Sequence, residues 1–179
     1  AQDLSDITRI ETGELEMEAE SFDLADVAEE VTDSLEIKAE NKGLHLRCRV
    51  PTDLPPIYGD RERIRQVLVN LTDNAIKYNR EGGHVEIVAR RLPSDDVKIS
   101  VVDDGIGIEP EHIPRLTERF YRVDKSRSRN QGGTGLGLAI VKHILGAHDR
   151  QLMVESTPDS GSTFGFTLPT ATSRSPEPA

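Results

Sequence analysis

The stretch Arg65-Gln66-Val67-Leu68-Val69-Asn70-Leu71-Thr72-Asp73-Asn74-Ala75-Ile76-Lys77-Tyr78 constrains this chain more than any other. Ile64, Val67, Leu68, Leu71 and Ala75 recur at i, i+3, i+4, i+7 spacing, so the segment reads as a helix whose apolar stripe must lie on a sheet or another helix. At about 100° per residue, Asn70, Asn74 and Lys77 fall within roughly 60° of one another beside that stripe. Two carboxamides and an ammonium then project together. A carboxamide oxygen can enter the oxygen shell of Mg²⁺, its NH2 can donate to a phosphate, and a lysine adds a point charge for phosphates. The trio suits a metal-bound triphosphate. A solvated helix edge with two incidental asparagines is the other reading of this helix alone.

Length and charge narrow the class. The 179 residues, 35% of them hydrophobic, fit one domain with flanking pieces. Acidic residues outnumber basic ones by 32 to 22, a net charge of −10, which speaks against a nucleic-acid surface or an anionic membrane as partner. No apolar run approaches ~18 residues and no secretory signal opens the chain, so a soluble domain is expected. Its start at Ala1 suggests a fragment of a longer protein. Cys48 stands in phase with Leu44, Leu46 and Val50 on one strand face; it reads as a small buried hydrophobe and fits a reducing cytosol.

The order of elements follows from periodicity. Leu4, Ile7 and Ile10 suggest the tail of an upstream helix, interrupted by Thr12-Gly13. Val27, Val31, Leu35 and Ala39 predict a helix over 25–41, stopped by Asn41-Lys42-Gly43, and a strand follows over 44–50. Pro51, Pro55 and Pro56 break the chain, and Asp60 is placed to cap the helix that carries the asparagines. Val85, Ile87 and Ala89, then Val97, Ile99 and Val101, predict an antiparallel hairpin with one buried face. Glu109-Pro110 opens a short helical region, 139–147 is an apolar helix, and strands over 151–156 and 163–168 close the fold. The last ten residues hold no core residue and are expected to be disordered.

Asp103 shares the phase of Val97, Ile99 and Val101, so the strand carries a carboxylate onto its buried face just before Gly105 and Gly107. A desolvated carboxylate costs several kcal/mol unless a donor meets it. Two readings fit: it caps the turn through backbone N–H groups, or it awaits a donor on a ligand, such as an exocyclic amine. Residues 118–131 lose periodicity and gather Arg119, Arg122, Lys125, Arg127 and Arg129 beside Phe120-Tyr121. A loop of that length is usually functional or mobile, although a solvated basic loop also fits Lys125, Arg127 and Arg129. Gly132-Gly133-Thr134-Gly135-Leu136-Gly137-Leu138 runs straight into the apolar helix, which offers unpaired N–H groups and a positive helix end to a phosphate. Leu138 and Ala139 stand where a Walker A motif needs Lys and Ser or Thr.

Taken in order, Asn70-x-x-x-Asn74-x-x-Lys77-Tyr78, Asp103-x-Gly105-x-Gly107-Ile108, Phe120-Tyr121-Arg122 and Gly133-Thr134-Gly135-Leu136-Gly137-Leu138 resemble the catalytic and ATP-binding domain of a bacterial two-component sensor histidine kinase. The likeness runs over about residues 22–169. Residues 5–13 resemble the end of that family's dimerisation helix, and 116–125 resemble its phosphate-responsive sensors. The resemblance implies an α/β fold: a two-layer sandwich of a mixed β-sheet with helices packed on one face, the histidine-kinase-type ATP-binding (Bergerat) fold. It divides the chain into a tail of the dimerisation and phosphoacceptor helix with its linker (1–20), the catalytic domain (21–169) and a disordered tail (170–179).

By that resemblance Asn70 holds Mg²⁺ and acts in catalysis with Lys77 and Arg122. Asn74, Lys77 and Tyr78 border the triphosphate, Asp103 accepts from the adenine amine, and Gly105, Gly107 and Ile108 shape the base pocket. Phe120 begins a lid over about 120–132, Gly133, Thr134, Gly135, Leu136, Gly137 and Leu138 run beneath the phosphates, and Thr163 helps Asp103 hold the base through water. Related ATP-hydrolysing proteins of this fold carry Glu where this chain has Asn70. Asn has no basic site, so slow hydrolysis and transfer to a histidine are implied.

None of His45, His84, His112, His143 and His148 has the acidic neighbour and helical frame of the family's acceptor, so that histidine is expected upstream. The implied partners are the protein's own phosphoacceptor domain and a response regulator, with a homodimer in the full-length protein, a monomeric isolated fragment and no nucleic acid. The implied location is cytoplasmic, with the whole protein attached to the inner membrane by upstream segments. His148-Asp149-Arg150 departs from the family's usual His-Gly-Gly and puts the local backbone in question. A nucleotide-gated module without catalysis is the alternative function; a chaperone- or topoisomerase-like machine and a serine kinase are further rivals, the former opposed by Asn70.

Overall fold

The apolar stripe of the asparagine-bearing helix is buried as its spacing requires: Ile64, Val67 and Leu68 are fully buried and Leu71 and Ala75 nearly so. The computed structural model describes residues 16–118 and 137–172. Among these, strands β1 (Ala19–Phe22), β2 (His45–Arg49), β3 (Ile57–Asp60), β4 (His84–Arg91), β5 (Asp96–Asp103), β6 (Met153–Thr157) and β7 (Gly161–Pro169) alternate with helices α1 (Leu24–Asn41), α2 (Arg61–Lys77) and α3 (Gly137–Ala147). The main sheet has the order β2-β4-β5-β7-β6. It is mixed: β2 runs parallel to β4, and the other neighbours are antiparallel.

Alternation fixes which face the helices cover. Val85, Ile87, Val97, Ile99, Val101, Phe164, Phe166 and Leu168 point to one side and are buried under Val27, Val31 and Leu35 of α1, the stripe of α2, and Ile140, Ile144 and Leu145 of α3. Each such large side chain contributes roughly 1.5–3 kcal/mol on leaving water. The opposite face carries Glu86, Lys98, Thr163 and Thr167. Cys48 is half-buried against the core, as its phase suggests. No described helix is long and apolar enough to cross a membrane.

Three features lie outside the reading of the sequence. β1 pairs antiparallel with β3 in a two-stranded sheet of its own, and Glu18 N–H donates to Asp60 Oδ2 at 2.9 Å, so part of segment 1–20 belongs to the folded body. At the other end Thr170 is buried, bridges Ile57, and is followed by Ala171 N–H donating to Pro56 O at 2.8 Å. Residues 170–172 of the expected tail therefore belong to the folded body, and the rest of it lies outside the described residues. The helical region expected after Pro110 shrinks to one 3₁₀ turn, Ile113–Arg115, because Pro114 lacks the N–H that a longer helix needs.

Both ends of α2 are fastened by other parts of the chain. At its start Asp60 caps Arg63 N–H at 3.2 Å, the cap expected from the sequence. The Asp60 N–H donates to His148 Nε2 at 3.0 Å, while His148 Nδ1 lies 2.8 Å from Ile144 O. At its end the Lys42 ammonium, beyond α1, donates to Ile76 O at 2.9 Å and to Lys77 O. The turn after α3, in question because it lacks the usual glycines, is made by Asp149 in the left-handed region at φ 58°, with Arg150 N–H closing on Leu145 O at 2.8 Å. A short polar side chain tolerates that conformation best among non-glycine residues.

His148 is held neutral, since its Nε2 must accept. Burial pushes its pKa down, with Arg150 adding to that and the Ile144 carbonyl and Asp60 opposing. A base whose folded pKa lies below its unfolded one contributes stability that is present above the unfolded pKa, about 6.5, and lost progressively as pH falls from there to the folded pKa. The thermal midpoint of the parent is therefore expected to drop as pH falls below about 6.5. His148→Gln should start lower at neutral pH and lose less over the same window; an unchanged slope would show that another group titrates there.

Candidate functional site

Strand parity delivers the first site residue. Asp103 ends β5 opposite Val85 of β4 and Ser162 of β7, on the face that Val101 and Phe164 give to the core. Its Oδ1 accepts from Gly105 N–H at 2.9 Å. Burial raises the carboxyl's pKa, bonds from the Gly105 and Ser162 N–H groups work the other way, and the charge of Asp104 adds to the rise. Among the described residues no cation contributes to the shift. Asp103 therefore caps the turn, as one of its two readings has it.

The loop beyond it is shaped by close backbone approach. A Cβ on Gly105 would stand 2.7 Å from Tyr78 O, and one on Gly107 would stand 2.1 Å from Thr157 O, with Gly107 at φ +71°. Neither position can take a side chain. Ile106 N–H donates to Tyr78 O at 3.3 Å, which stitches the loop to the end of α2. Ile108 N–H donates to Ser156 Oγ at 2.8 Å, and that hydroxyl also meets Ser162 Oγ at 2.7 Å and Gly161 O at 3.0 Å. Asp103, Gly105, Gly107, Ile108 and the backbone carbonyl of Tyr78 are therefore brought together.

One of the expected residues is misplaced. Thr163 pairs with Val102 and Glu155, one step out of phase with Asp103, so its side chain lies on the opposite face of the sheet. Ser162, buried, is the residue across from Asp103. Strand parity contained this signal, since Ser162 and not Thr163 alternates with Phe164 and Phe166. Asn79 also went unread. Its buried carboxamide donates to His84 O at 3.1 Å and to Asp104 Oδ1 at 3.3 Å, and accepts from Arg80 N–H at 2.7 Å. Asp104 further accepts from the His84 N–H at 2.6 Å. Its partial burial is outweighed by the His84 and Asn79 bonds, which hold its carboxyl below the usual range.

Along α2, Asn70, Asn74 and Lys77 are partly exposed beside the buried stripe. Asn70 Nδ2 donates to Gly137 O, the first residue of α3, at 3.3 Å, leaving its carboxamide oxygen as the coordinating end. Lys77 Nζ lies 3.1 Å from Asp73 Oδ2. Leu138 packs against the core. Phe120, Arg122, Gly133, Thr134, Gly135 and Leu136 lie outside the described residues. Among the described residues no three His, Cys, Asp or Glu side chains gather where they could hold a metal ion, so a carboxylate cage is not available there.

A helix edge of carboxamides and one ammonium, with a half-buried carboxylate and a glycine loop, now has a counterpart. Residues 59–172 match the family described as histidine kinase-, DNA gyrase B- and HSP90-like ATPase. The chain belongs to this family. The phosphate regulon sensor protein PhoR of Haemophilus influenzae is 48% identical over 113 residues, 63% of this chain and 26% of that protein. Full-length ShkA in complex with AMPPNP superposes with a TM-score of 0.84 at 30% identity, over 95% of this chain and 35% of that one. The catalytic domain of the histidine kinase ThkA gives 0.73 at 28% identity, over 86% of this chain and 99% of its own. The chain spans 20–40% of the length of the first curated relatives it matches. It is a histidine-kinase-type ATP-binding catalytic domain, and the mixed sheet with helices on one face is that fold.

Two stability effects follow for this domain. An acid whose folded pKa is raised favours the fold when protonated, so the ionised Asp103 costs stability that is absent below the unfolded pKa and complete above the folded one. Asp103→Asn is therefore expected to unfold no earlier than the parent at neutral pH, with any advantage shrinking as pH falls into the ordinary carboxylate range. Gly107→Ala combines a left-handed residue with overlap on a carbonyl and should cost upward of about 2 kcal/mol in a denaturant titration.

Proposed function

We propose that this domain transfers the γ-phosphoryl group of ATP to a histidine on a separate dimerisation domain of the same protein, for relay to an aspartate of a response regulator. The observation that carries the reading is Asn70. A carboxamide that donates to Gly137 O can coordinate and orient through its oxygen, but it has no basic site with which to activate water. Protein catalysis of phosphoryl transfer is positioning plus electrostatic stabilisation, and that is what this residue set offers.

ATP would sit with its adenine amine donating to Asp103, a half-buried carboxylate whose pKa burial raises. Gly105, Gly107 and Ile108 would border the base, with Ser162 in the place expected for Thr163. The ShkA complex with AMPPNP supports a nucleotide in this fold. Asn74, Lys77 and Tyr78 would border the phosphates, with Phe120, Arg122 and the segment Gly133, Thr134, Gly135, Leu136, Gly137 and Leu138 completing the site. Asn70 would hold Mg²⁺, which supplies charge neutralisation of the triphosphate; Mg²⁺ commonly takes few protein ligands and fills its shell with water and phosphate oxygens. The whole protein would be a homodimer with upstream sensing segments anchored at the inner membrane and this domain on the cytoplasmic side.

Asn70→Ala is expected to weaken Mg²⁺-dependent ATP binding and leave the thermal midpoint near the parent's, because Asn70 lies on the polar edge; calorimetry showing equal affinity would remove it from the site. The chain alone should bind ATP without labelling itself, and become a phosphate donor when helices bearing the acceptor histidine are supplied. Acid-labile self-phosphorylation would mean that one of its five histidines accepts. Asp103→Asn should lose about tenfold to a hundredfold in ATP affinity, the worth of a bond to a buried charged group, roughly 1.5–3 kcal/mol. The parent should reject GTP, which offers a carbonyl in place of the amine. A parent that binds both nucleotides equally would reduce Asp103 to a turn cap.

A further inference from the structure

Asp73 precedes Lys77 by one helical turn and divides its carboxylate between two cations. Its Oδ2 meets Lys77 Nζ at 3.1 Å, and its Oδ1 meets the ammonium of Lys38, in the last turn of α1. Asp73 and Lys77 keep only 22% and 21% of their side chains exposed, so their pairing is screened less than that of a surface pair; Lys38 is half exposed. Alone, Asp73 and Lys77 cancel, and an incoming phosphate would find no net attraction and a carboxylate competing for the same ammonium. With Lys38 on the other oxygen the trio is net positive, and Asp73 keeps a partner when Lys77 turns outward.

We propose that Lys38 and Asp73 are positioning residues that set how much of the Lys77 charge is available to the phosphates of a bound nucleotide. The inference rests on the reading that this site binds ATP. Lys38 acts from α1, outside the site itself, by offsetting the Asp73 charge that would otherwise be set wholly against Lys77. It follows that the contribution grows with the number of phosphates on the ligand and shrinks with salt.

The test is a double-mutant cycle on the whole chain, with ATP, ADP and adenosine affinities measured by calorimetry at low ionic strength. Lys38→Met is expected to weaken ATP and ADP by about two- to fivefold, the range of partly exposed ion pairs, while leaving adenosine unchanged. Lys38→Arg should restore the parent's affinity. Asp73→Asn should bind ATP at least as well as the parent, and adding Lys38→Met to it should then have less than a twofold effect. Raising the salt to about 1 M, where the Debye length is roughly 3 Å, should erase the Lys38→Met defect. An equal loss for adenosine, or a Lys38→Met defect that persists in Asp73→Asn, would overturn the proposal in favour of a packing role. A parent that binds adenosine and ATP normally while the variants match it would overturn the proposal alone, whereas a parent that binds no nucleotide would overturn the ATP reading beneath it.

Discussion

The carboxylate of Asp103 stands half-buried on the core face of its strand, and the parts around it follow from meeting that desolvation. Gly105 and Ser162 supply N–H groups that offset part of the desolvation, and the carboxyl's pKa is still raised. Bringing Gly105 back onto Asp103 presses the loop against Tyr78 O, which admits no Cβ. The next turn runs so close to Thr157 that Gly107 has to be glycine as well. What is left over is an acceptor near the protein's interior, which discriminates between ligands more sharply than a surface carboxylate because an unmade bond there is not replaced by water.

Holding α2 still is the second condition. A polar edge can present fixed groups only if the helix neither slides nor rotates, and α2 is fastened at both ends as well as along its stripe. Asp60, His148 and Glu18 tie its start to α3 and to the strand pair β1–β3. Lys42 ties its final carbonyls to the end of α1, one residue from Tyr78, whose own carbonyl receives Ile106 N–H. Asn79 continues the connection, linking the end of the helix to His84 and Asp104. The end of α2 and the loop after β5 are thus parts of one hydrogen-bonded unit, and a change at one should be felt at the other.

The chemistry turns on what Asn70 lacks. A carboxylate in its place could take a proton from water, but a carboxamide spends its NH2 on Gly137 O and offers an oxygen that only coordinates. On the proposed function, a domain built this way would keep a bound triphosphate intact until a stronger nucleophile arrives. The cluster Lys38, Asp73 and Lys77 adds a graded electrostatic element to the same helix.

Much of this was determined by the sequence itself. The period of α2 settled which residues are core and that Asn70, Asn74 and Lys77 share an edge, because helical geometry is local. The phase of Asp103 with Val97, Ile99 and Val101 settled its burial for the same reason. Asp60 was legible as a cap because capping involves only neighbouring residues. Contacts between distant segments were not legible. The pairing of β1 with β3, the serine pair Ser156 and Ser162, the Lys42 bonds to α2 and the split of Asp73 between Lys38 and Lys77 depend on which elements lie side by side. The Thr163 expectation failed at the boundary between the two: parity along β7 was available in the sequence, but only the register with β5 put Ser162 opposite Asp103. Register is fixed by the collective burial of a whole face, so tertiary structure alone decided it.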